Sequence, residues 1–576
     1  MTEVFDFVIA GAGSAGCALA ARLAEDGRHT VCLVEAGGPG RSLWSRMPAG
    51  NGFLFGNPRH DWGLRSVPQP GLAGRSVFYP RGKGVGGSSL MNGMIYMRGT
   101  AGDYDRWRRK GLAGWSYAEV LPYFRRSAGA AHRAGDPYHG RGPLRLTPAG
   151  NFDAVNARFV QACIEAGAAR NADFNGASQA GAGRIDTKVW RGRRQSAAEA
   201  YLARPPAGLT IRTGTPVHRV LLDGRRAVGL ALAGAELRAR REVILCLGAF
   251  GSPQVLMRSG IGPAAHLADM GIAVVHDLPG VGSTLLDHPQ YPMKRALRDP
   301  ALSLARHQRA GRAVALGLRY LLAGTGPGAA PFWSSALFHA LRDAENPELQ
   351  VYLTPMCVTE EAAAPRLSPA ALLNIGTLIL ARGKAALPGL QFDICLLRPR
   401  SAGTVRLAGP SPETPPAIDP AWFSDPADMD DMIAGIRHMR RVAAQPALAG
   451  IVAGETQPAA TAETDAALEA AVRAHASTGH HPVATCRMGA AHDPGAVLDE
   501  ALRVRGIDRL RVVDASAFAD QIGGNPGAPV LMLAEKAADM ILGRPAPAPE
   551  DPRAGRAEPA SGEAHLRAIA QADASP

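Results

Sequence analysis

The sequence predicts an α/β protein, α+β overall, in which a first lobe opening on a strand, turn, helix and strand is joined by a second lobe built as a sheet with covering helices. Three observations predict it. A strand, glycine turn, helix and strand follow one another within the first forty residues. The 576 residues exceed what one hydrophobic core usually serves. From about residue 290 the pattern changes to alanine-rich helices mixed with alternating segments such as Gln391-Phe392-Asp393-Ile394-Cys395-Leu396-Leu397.

In the opening unit Phe5-Asp6-Phe7-Val8-Ile9-Ala10 runs into Gly11-Ala12-Gly13-Ser14-Ala15-Gly16, and Val31-Cys32-Leu33-Val34-Glu35 closes it. Gly11 allows the tight turn, Gly13 lets backbone approach a pyrophosphate, and Gly16 lets helix pack closely on strand. Free amides at the helix start face the phosphates. Glu35 stands about 20 residues beyond, where an acidic side chain accepts hydrogen bonds from the adenosine ribose. This turn serves FAD and NAD alike.

Further on, Gly82-Lys83-Gly84-Val85-Gly86-Gly87-Ser88-Ser89-Leu90-Met91-Asn92-Gly93 is dense in glycine, so its amides close on an anionic or planar ligand without obstruction. A helix is expected from Ser116 to Arg126, with Ser116 and Glu119 as a capping box. Strands are expected at 209–213 and 217–222, with Asp223-Gly224 as a hairpin turn. Arg241 to Leu247 reads as a buried strand leading to Gly248-Ala249-Phe250-Gly251-Ser252-Pro253, Arg509 to Asp514 as another, and Ala528 to Leu542 as a helix returning to the first lobe. The expected division gives 1–150, 206–290 and 476–543 to the first lobe, 151–205 to an excursion toward the second, and 291–475 to the second lobe. The proline- and alanine-rich 544–576 is expected to be a disordered tail.

Hydrophobic content of 46% with 20% charged residues describes a globular chain. No apolar run is long enough to span a bilayer, and the cofactor strand follows Met1-Thr2-Glu3 without room for a signal peptide, so a cytoplasmic location is expected. The net charge of +12 is scattered and no nucleic-acid module appears, so no nucleic-acid partner is expected; peripheral attachment to the inner membrane face stays open. Seven widely spaced cysteines without Cys-x-x-Cys read as reduced thiols. A serine hydrolase is excluded for want of a Gly-x-Ser-x-Gly elbow. His475, His480, His481 and Cys486 fit no standard zinc spacing, so no metal is expected. Phe332, Trp333 and Trp422 are candidates for an apolar wall or for core.

With these residues in view, residues 4 to about 543 resemble the glucose-methanol-choline family of FAD-dependent oxidoreductases. The resemblance rests on the N-terminal turn, on Gly82 to Asn92, and on Gly248-Ala249-Phe250-Gly251-Ser252-Pro253-Gln254-Val255-Leu256-Met257-Arg258-Ser259-Gly260-Ile261-Gly262. It rests also on His480-His481-Pro482-Val483-Ala484-Thr485-Cys486-Arg487-Met488-Gly489 and Gly524-Asn525-Pro526-Gly527-Ala528-Pro529. It implies a Rossmann-like FAD-binding domain and a substrate-binding domain roofing the flavin. By position, Gly11, Gly13, Gly16 and Glu35 would hold the adenosine diphosphate half, and Val217 would touch adenine. Gly86, Ser89, Asn92 and Gly93 would lie along pyrophosphate and flavin, with Asp514 and Ala515 near the ribityl chain and ring; Ala249 would also bind the cofactor. Met91 stands where members with covalent flavin carry histidine, so non-covalent FAD is expected.

The resemblance further implies oxidation of a primary alcohol to an aldehyde, with hydride passing to flavin N5. Histidine is the natural base near neutral pH. His481 matches the family's base, and Asn525 matches the partner that hydrogen-bonds the substrate oxygen as charge develops. Two positions depart from the usual pattern: His480 replaces a tyrosine and Ala484 a glycine. The reduced cofactor is expected to pass its electrons to a quinone or other carrier, with oxygen as the alternative acceptor. Hydroxynitrile lyases and a light-driven decarboxylase share the family, so a lyase or photodecarboxylase is the alternative of another class. The particular alcohol and the oligomeric state are left open.

Overall fold

Phe7, Val8, Ile9 and Ala10 are buried on both faces of their strand, as the centre of a parallel sheet requires. The computed structural model describes residues 3–308, 310–358 and 386–554. In the first lobe the chain forms β1 (Glu3–Ala10), α1 (Ser14–Ala24), β2 (Val31–Val34), β3 (Leu209–Arg212), β4 (Val217–Asp223), β5 (Arg226–Leu232), β6 (Ala235–Leu245), α2 (Gly248–Arg258), β7 (Leu510–Val512) and α3 (Gly527–Leu542). The strands order as β3-β2-β1-β6-β5-β4, with β7 also beside β6. The long β6 shares one edge between two partners. Its first half pairs antiparallel with β5 (Gly229 opposite Arg238), and its last residues pair parallel with β7 (Leu245 opposite Val512).

Local signals place most of these elements. Ser116 and Glu119 form the expected capping box on helix Tyr117–Ser127. Asp223 and Gly224 turn β4 into β5. Strand β6 begins at Ala235 rather than the expected Arg241, because its polar first half has no continuous apolar run yet pairs with β1 on one side and β5 on the other. Helix α3 returns to the first lobe, where Glu535 receives ion pairs from Arg22 (2.9 Å) and Arg126 (2.8 Å). All seven cysteines are buried free thiols.

The second lobe is an antiparallel sheet ordered Val452–Gln457, Pro289–Leu297, Gly389–Leu396, Leu349–Thr354, Ser335–His339 and Gly181–Arg184. The expected excursion supplies its edge strand, Gly181–Arg184, and the covering helix Ala154–Glu165. The expected boundary at 290 falls inside strand Pro289–Leu297. Successive residues of these strands point to opposite faces. Tyr291, Val351, Phe392 and Ile394 turn to an apolar core under helix Pro426–Ala444. Gln290, Gln350, Tyr352, Gln391 and Asp393 turn the other way, into a cavity between sheet and first lobe.

Residues 544–554, the start of the expected tail, run along helix Tyr117–Ser127, where the Glu550 amide donates to the Ala118 carbonyl (2.9 Å) and Arg125 pairs with Glu550. The rest of that tail lies outside the described residues. Among the described residues no helix is long and apolar enough to cross a membrane.

Candidate active site

A cavity of about 1450 Å³ runs from the β1–α1 turn to the polar face of the second sheet. All the sequence-predicted site residues except Gly16 and Gly86 line it. Gly16 is a packing residue: a Cβ there would stand 1.9 Å from the Gly11 carbonyl oxygen. Gly86 has φ 114° and donates its amide to the Ala12 carbonyl (2.7 Å), which leaves Gly87 to face the cavity.

At the turn, Glu35 is buried and accepts three backbone N–H groups: Ala12 on Oε2 (3.0 Å), with Gly37 (2.8 Å) and Gly84 (2.9 Å) on Oε1. It thereby ties the glycine turn to the second glycine-rich segment, a role the sequence reading did not include. Burial pushes its carboxyl up, and the backbone donors act against that. Asp514 is similarly engaged, accepting from the Gly248 amide (2.8 Å) and the Ser252 hydroxyl (2.6 Å) at the start of α2. Ser89 spends its hydroxyl inside the protein, donating to the Gly86 carbonyl and accepting from the Ala197 amide. Gly93 lies against Trp333, and Val217 also lines the cavity. Phe332 and Trp333 are wall residues; Trp422 is core, stacked on Tyr79.

The cavity fits a dinucleotide. At Gly13 a Cβ would meet no protein atom closer than 3.7 Å, so the bare Cα opens onto the cavity. Elsewhere on the wall, over the rings of Tyr79 and Phe250, the buried Nε and Nη2 of Arg81 have no hydrogen-bond partner among the described residues, which leaves donors for an anionic or polar ligand.

At the far end His481 and Asn525 meet. His480 has φ 66° and Ala484 has φ 71°, so the chain bends sharply on both sides of His481-Pro482-Val483. The His481 amide donates to Asp287 Oδ1 (2.9 Å), and its carbonyl accepts from Gln521 Nε2 (3.1 Å). Asp287 Oδ2 is held by Tyr79 (2.7 Å) and Thr478 (2.6 Å), and burial raises this carboxyl to about 6.

The hydrogen bonds of the side chains run in one direction. Tyr352 donates its hydroxyl to Asn525 Oδ1 (2.7 Å), and Gln350 Nε2 reaches both the Tyr352 hydroxyl and that oxygen. The Asn525 Nδ2 donor therefore faces His481 Nε2 at 2.9 Å. That nitrogen must be the lone-pair side of the ring, so the His481 proton sits on Nδ1 and is donated to His288 Nδ1 at 2.9 Å. His288 in turn carries its own proton on Nε2, which is buried without a partner among the described residues.

Burial depresses His481 well below the ordinary histidine value, and His288, His480 and Arg81 add to it. His288 is pushed down to about 3 by burial. His480 also lines the cavity, and desolvation with Arg81 beside it pushes it down to about 3. The ring nitrogens of His288 and His481 with the Cys395 sulfur lie within 4.8 Å of one another. Burial, Asp287 and Asp393 keep that thiol protonated and a poor metal ligand.

Sequence reasoning missed Asp287, His288, Tyr352 and Asp393. The last accepts from Thr354 (2.6 Å), Trp333 (3.1 Å), Gln391 (2.6 Å) and Gln290 (3.2 Å). One signal was present: polar residues alternating with apolar ones in Gln391-Phe392-Asp393-Ile394 mark a strand with one buried and one cavity face.

Comparison with known proteins finds relatives along nearly the whole chain. Family models for the N- and C-terminal parts of GMC oxidoreductases match residues 5–290 and 399–534. The chain is 39% identical over 552 residues to an oxygen-dependent choline dehydrogenase of Stenotrophomonas maltophilia, covering 94% of this chain and 95% of that one. It is 38% identical to the mitochondrial choline dehydrogenase of Homo sapiens over 94% and 91% of the two chains. Among solved structures, pyridoxine 4-oxidase from Mesorbium loti superposes with a TM-score of 0.80 at 32% identity, covering 94% of this chain and 99% of that one. An Aspergillus oryzae formate oxidase variant gives 0.83 at 26% identity over 94% and 98%. A glycine turn, a roofed cavity and a paired histidine and asparagine thus stand in a chain whose relatives match it along nearly its whole length, and the protein belongs to the GMC oxidoreductase family.

Proposed function

We propose that the protein oxidises a primary alcohol to an aldehyde, with His481 as base and Asn525 as hydrogen-bond partner. The observation that carries this reading is the convergence of an acceptor, His481 Nε2, and a donor, Asn525 Nδ2, 2.9 Å apart at the cavity wall. The cofactor is FAD, and when bound it supplies the two-electron acceptor. Its adenosine half falls to Gly11, Gly13, Glu35 and Val217, and its ring end to Asn92, Gly93, Ala515 and the His481 wall. Met91 offers no nucleophile for a covalent link, so FAD is held non-covalently.

An alcohol entering between the paired side chains donates its hydroxyl proton to His481 Nε2 and accepts from Asn525 Nδ2 on the same oxygen. Tyr352, held protonated by burial, keeps the amide facing that way. As His481 takes the proton, its Nδ1–H stays bonded to His288, so the new charge is met by a lone pair. The base is neutral at rest, which general-base work requires.

For the acceptor we propose a quinone or other carrier. One experiment tests both parts: purified enzyme is titrated anaerobically with choline, for which the relatives are named, then pyridoxine and neutral aliphatic and aromatic alcohols, while flavin absorbance is followed. Bleaching by an alcohol is expected, with recovery on adding a quinone faster than on admitting air. FAD that stays oxidised through the whole panel would falsify the alcohol reading.

A further inference from the structure

Lys188 is a second buried cationic group in the same cavity, and the reading above gives it no role. Its backbone is pinned at both ends, the amide donating to the Met94 carbonyl (2.7 Å) and the carbonyl accepting from the Gln195 amide (2.9 Å). Its side chain is directed at the start of α3, where Nζ stands 3.1 Å from the position a Cβ on Gly527 would take. Any larger residue at 527 meets that ammonium. Lys188 is 5% exposed, and its ammonium has no hydrogen-bond or ion-pair partner among the described residues.

The end of α3 that it faces is itself positive. This helix of 16 residues has no side-chain cap and no acidic residue in its first turn. Its first amides lack intrahelical partners, and its dipole places partial positive charge there. Asn525, Pro526, Gly527 and Lys188 line the cavity together. An unpaired buried cation beside an uncapped helix start is costly unless a negative group joins them.

We propose that Lys188 and the start of α3 form a site for a delocalised organic anion, and that its occupant is the ring of FAD carrying the negative charge it takes up on two-electron reduction. The oxidised ring is neutral, so this site favours the reduced cofactor over the oxidised one. Burial, with Arg194 nearby, lowers Lys188 to about 8, and an adjacent anion acts against that shift. The proposal rests on FAD occupancy and not on the alcohol reading, because its test uses chemical reductants.

Wild-type holoenzyme and Lys188→Met are compared anaerobically. One arm measures the reduction potential with dithionite and a reference dye, and the other measures affinity for sulfite, whose adduct with flavin is anionic. The variant is expected to keep FAD, to have a lower potential, and to bind sulfite at least about ten-fold more weakly, the size of a 1.4 kcal/mol interaction. Lys188→Gln repeats the comparison with a polar side chain. Unchanged potential and sulfite affinity in both variants overturn the proposal. Loss of FAD from the resting variants overturns it as well, by assigning Lys188 to the oxidised cofactor. So does benzoate binding that Lys188 alone supports while the potential stays fixed, since the anion then belongs to a substrate carboxylate.

Discussion

His481 owes its tautomer to residues far away in sequence, and its behaviour follows from that. With Nε2 unprotonated and facing Asn525, His481→Ala keeps FAD bound and slows flavin reduction by alcohol about 10²–10⁴-fold, the usual worth of a general base. Stopped-flow reduction under anaerobic conditions measures it, and a rate within a few-fold of wild type removes His481 from the mechanism. Because burial depresses its pKa, the rate should show no inflection at pH 6.5. His288 adds a stability term. Its folded ring titrates near 3 and its unfolded ring near 6.5, so the unfolded chain holds the extra proton between those values. The stabilisation is complete above pH 6.5 and is lost as pH falls, by up to ~1.4 kcal/mol per pH unit. Asp287, raised from 3.8 to about 6, slopes the other way in that interval and offsets part of it. His288→Gln removes only the first slope, so its urea midpoint should fall less than that of wild type between pH 7 and pH 5. An equal or steeper fall contradicts the assignment.

At the level of elements, the β1–α1 turn separates two kinds of glycine. Gly16→Ala places a Cβ 1.9 Å from the Gly11 carbonyl oxygen and should prevent folding of the turn, giving insoluble protein. Gly13→Ala meets nothing nearer than 3.7 Å in the protein, so it should fold and lose FAD affinity. FAD content after gel filtration distinguishes them; full FAD occupancy in Gly13→Ala shows that the phosphates lie elsewhere. Glu35→Ala strands three buried amides, so it should weaken FAD retention and lower stability by roughly 1–3 kcal/mol for each donor left unpaired. Unchanged FAD affinity in that variant shows that the carboxylate serves the turns alone. This unit was legible in the sequence because its determinants are adjacent: glycines and apolar strand residues act over a few positions. Glu35 was legible as the acid that follows β2, but its bond to Gly84 was not, since nothing local to either residue encodes it. The same holds for His288 and His481, which lie 193 residues apart in sequence, and for Tyr352, which stands in a strand whose polar face gains meaning only when the cavity closes over it.

For the whole molecule, the chain closes one lobe over the other. Truncation after Gly543 removes the Arg125–Glu550 and Arg553–Asp105 pairs, which are partly exposed and worth little. FAD content and turnover should survive that truncation, with thermal stability nearly unchanged; a large loss in either gives the last segment a function. The second-lobe sheet has a wider consequence. Its strands put Val351, Phe392 and Ile394 into the core, while their neighbours Gln350, Tyr352, Gln391 and Asp393 form the wall of the cavity proposed to take the substrate. Folding and selectivity are thus written on alternate positions of the same strands, like two texts on interleaved lines. A library restricted to the cavity-facing positions can redraw the acceptable alcohols while every residue that holds the lobe together stays as it is, and this separation lets one scaffold be retuned without first being rebuilt.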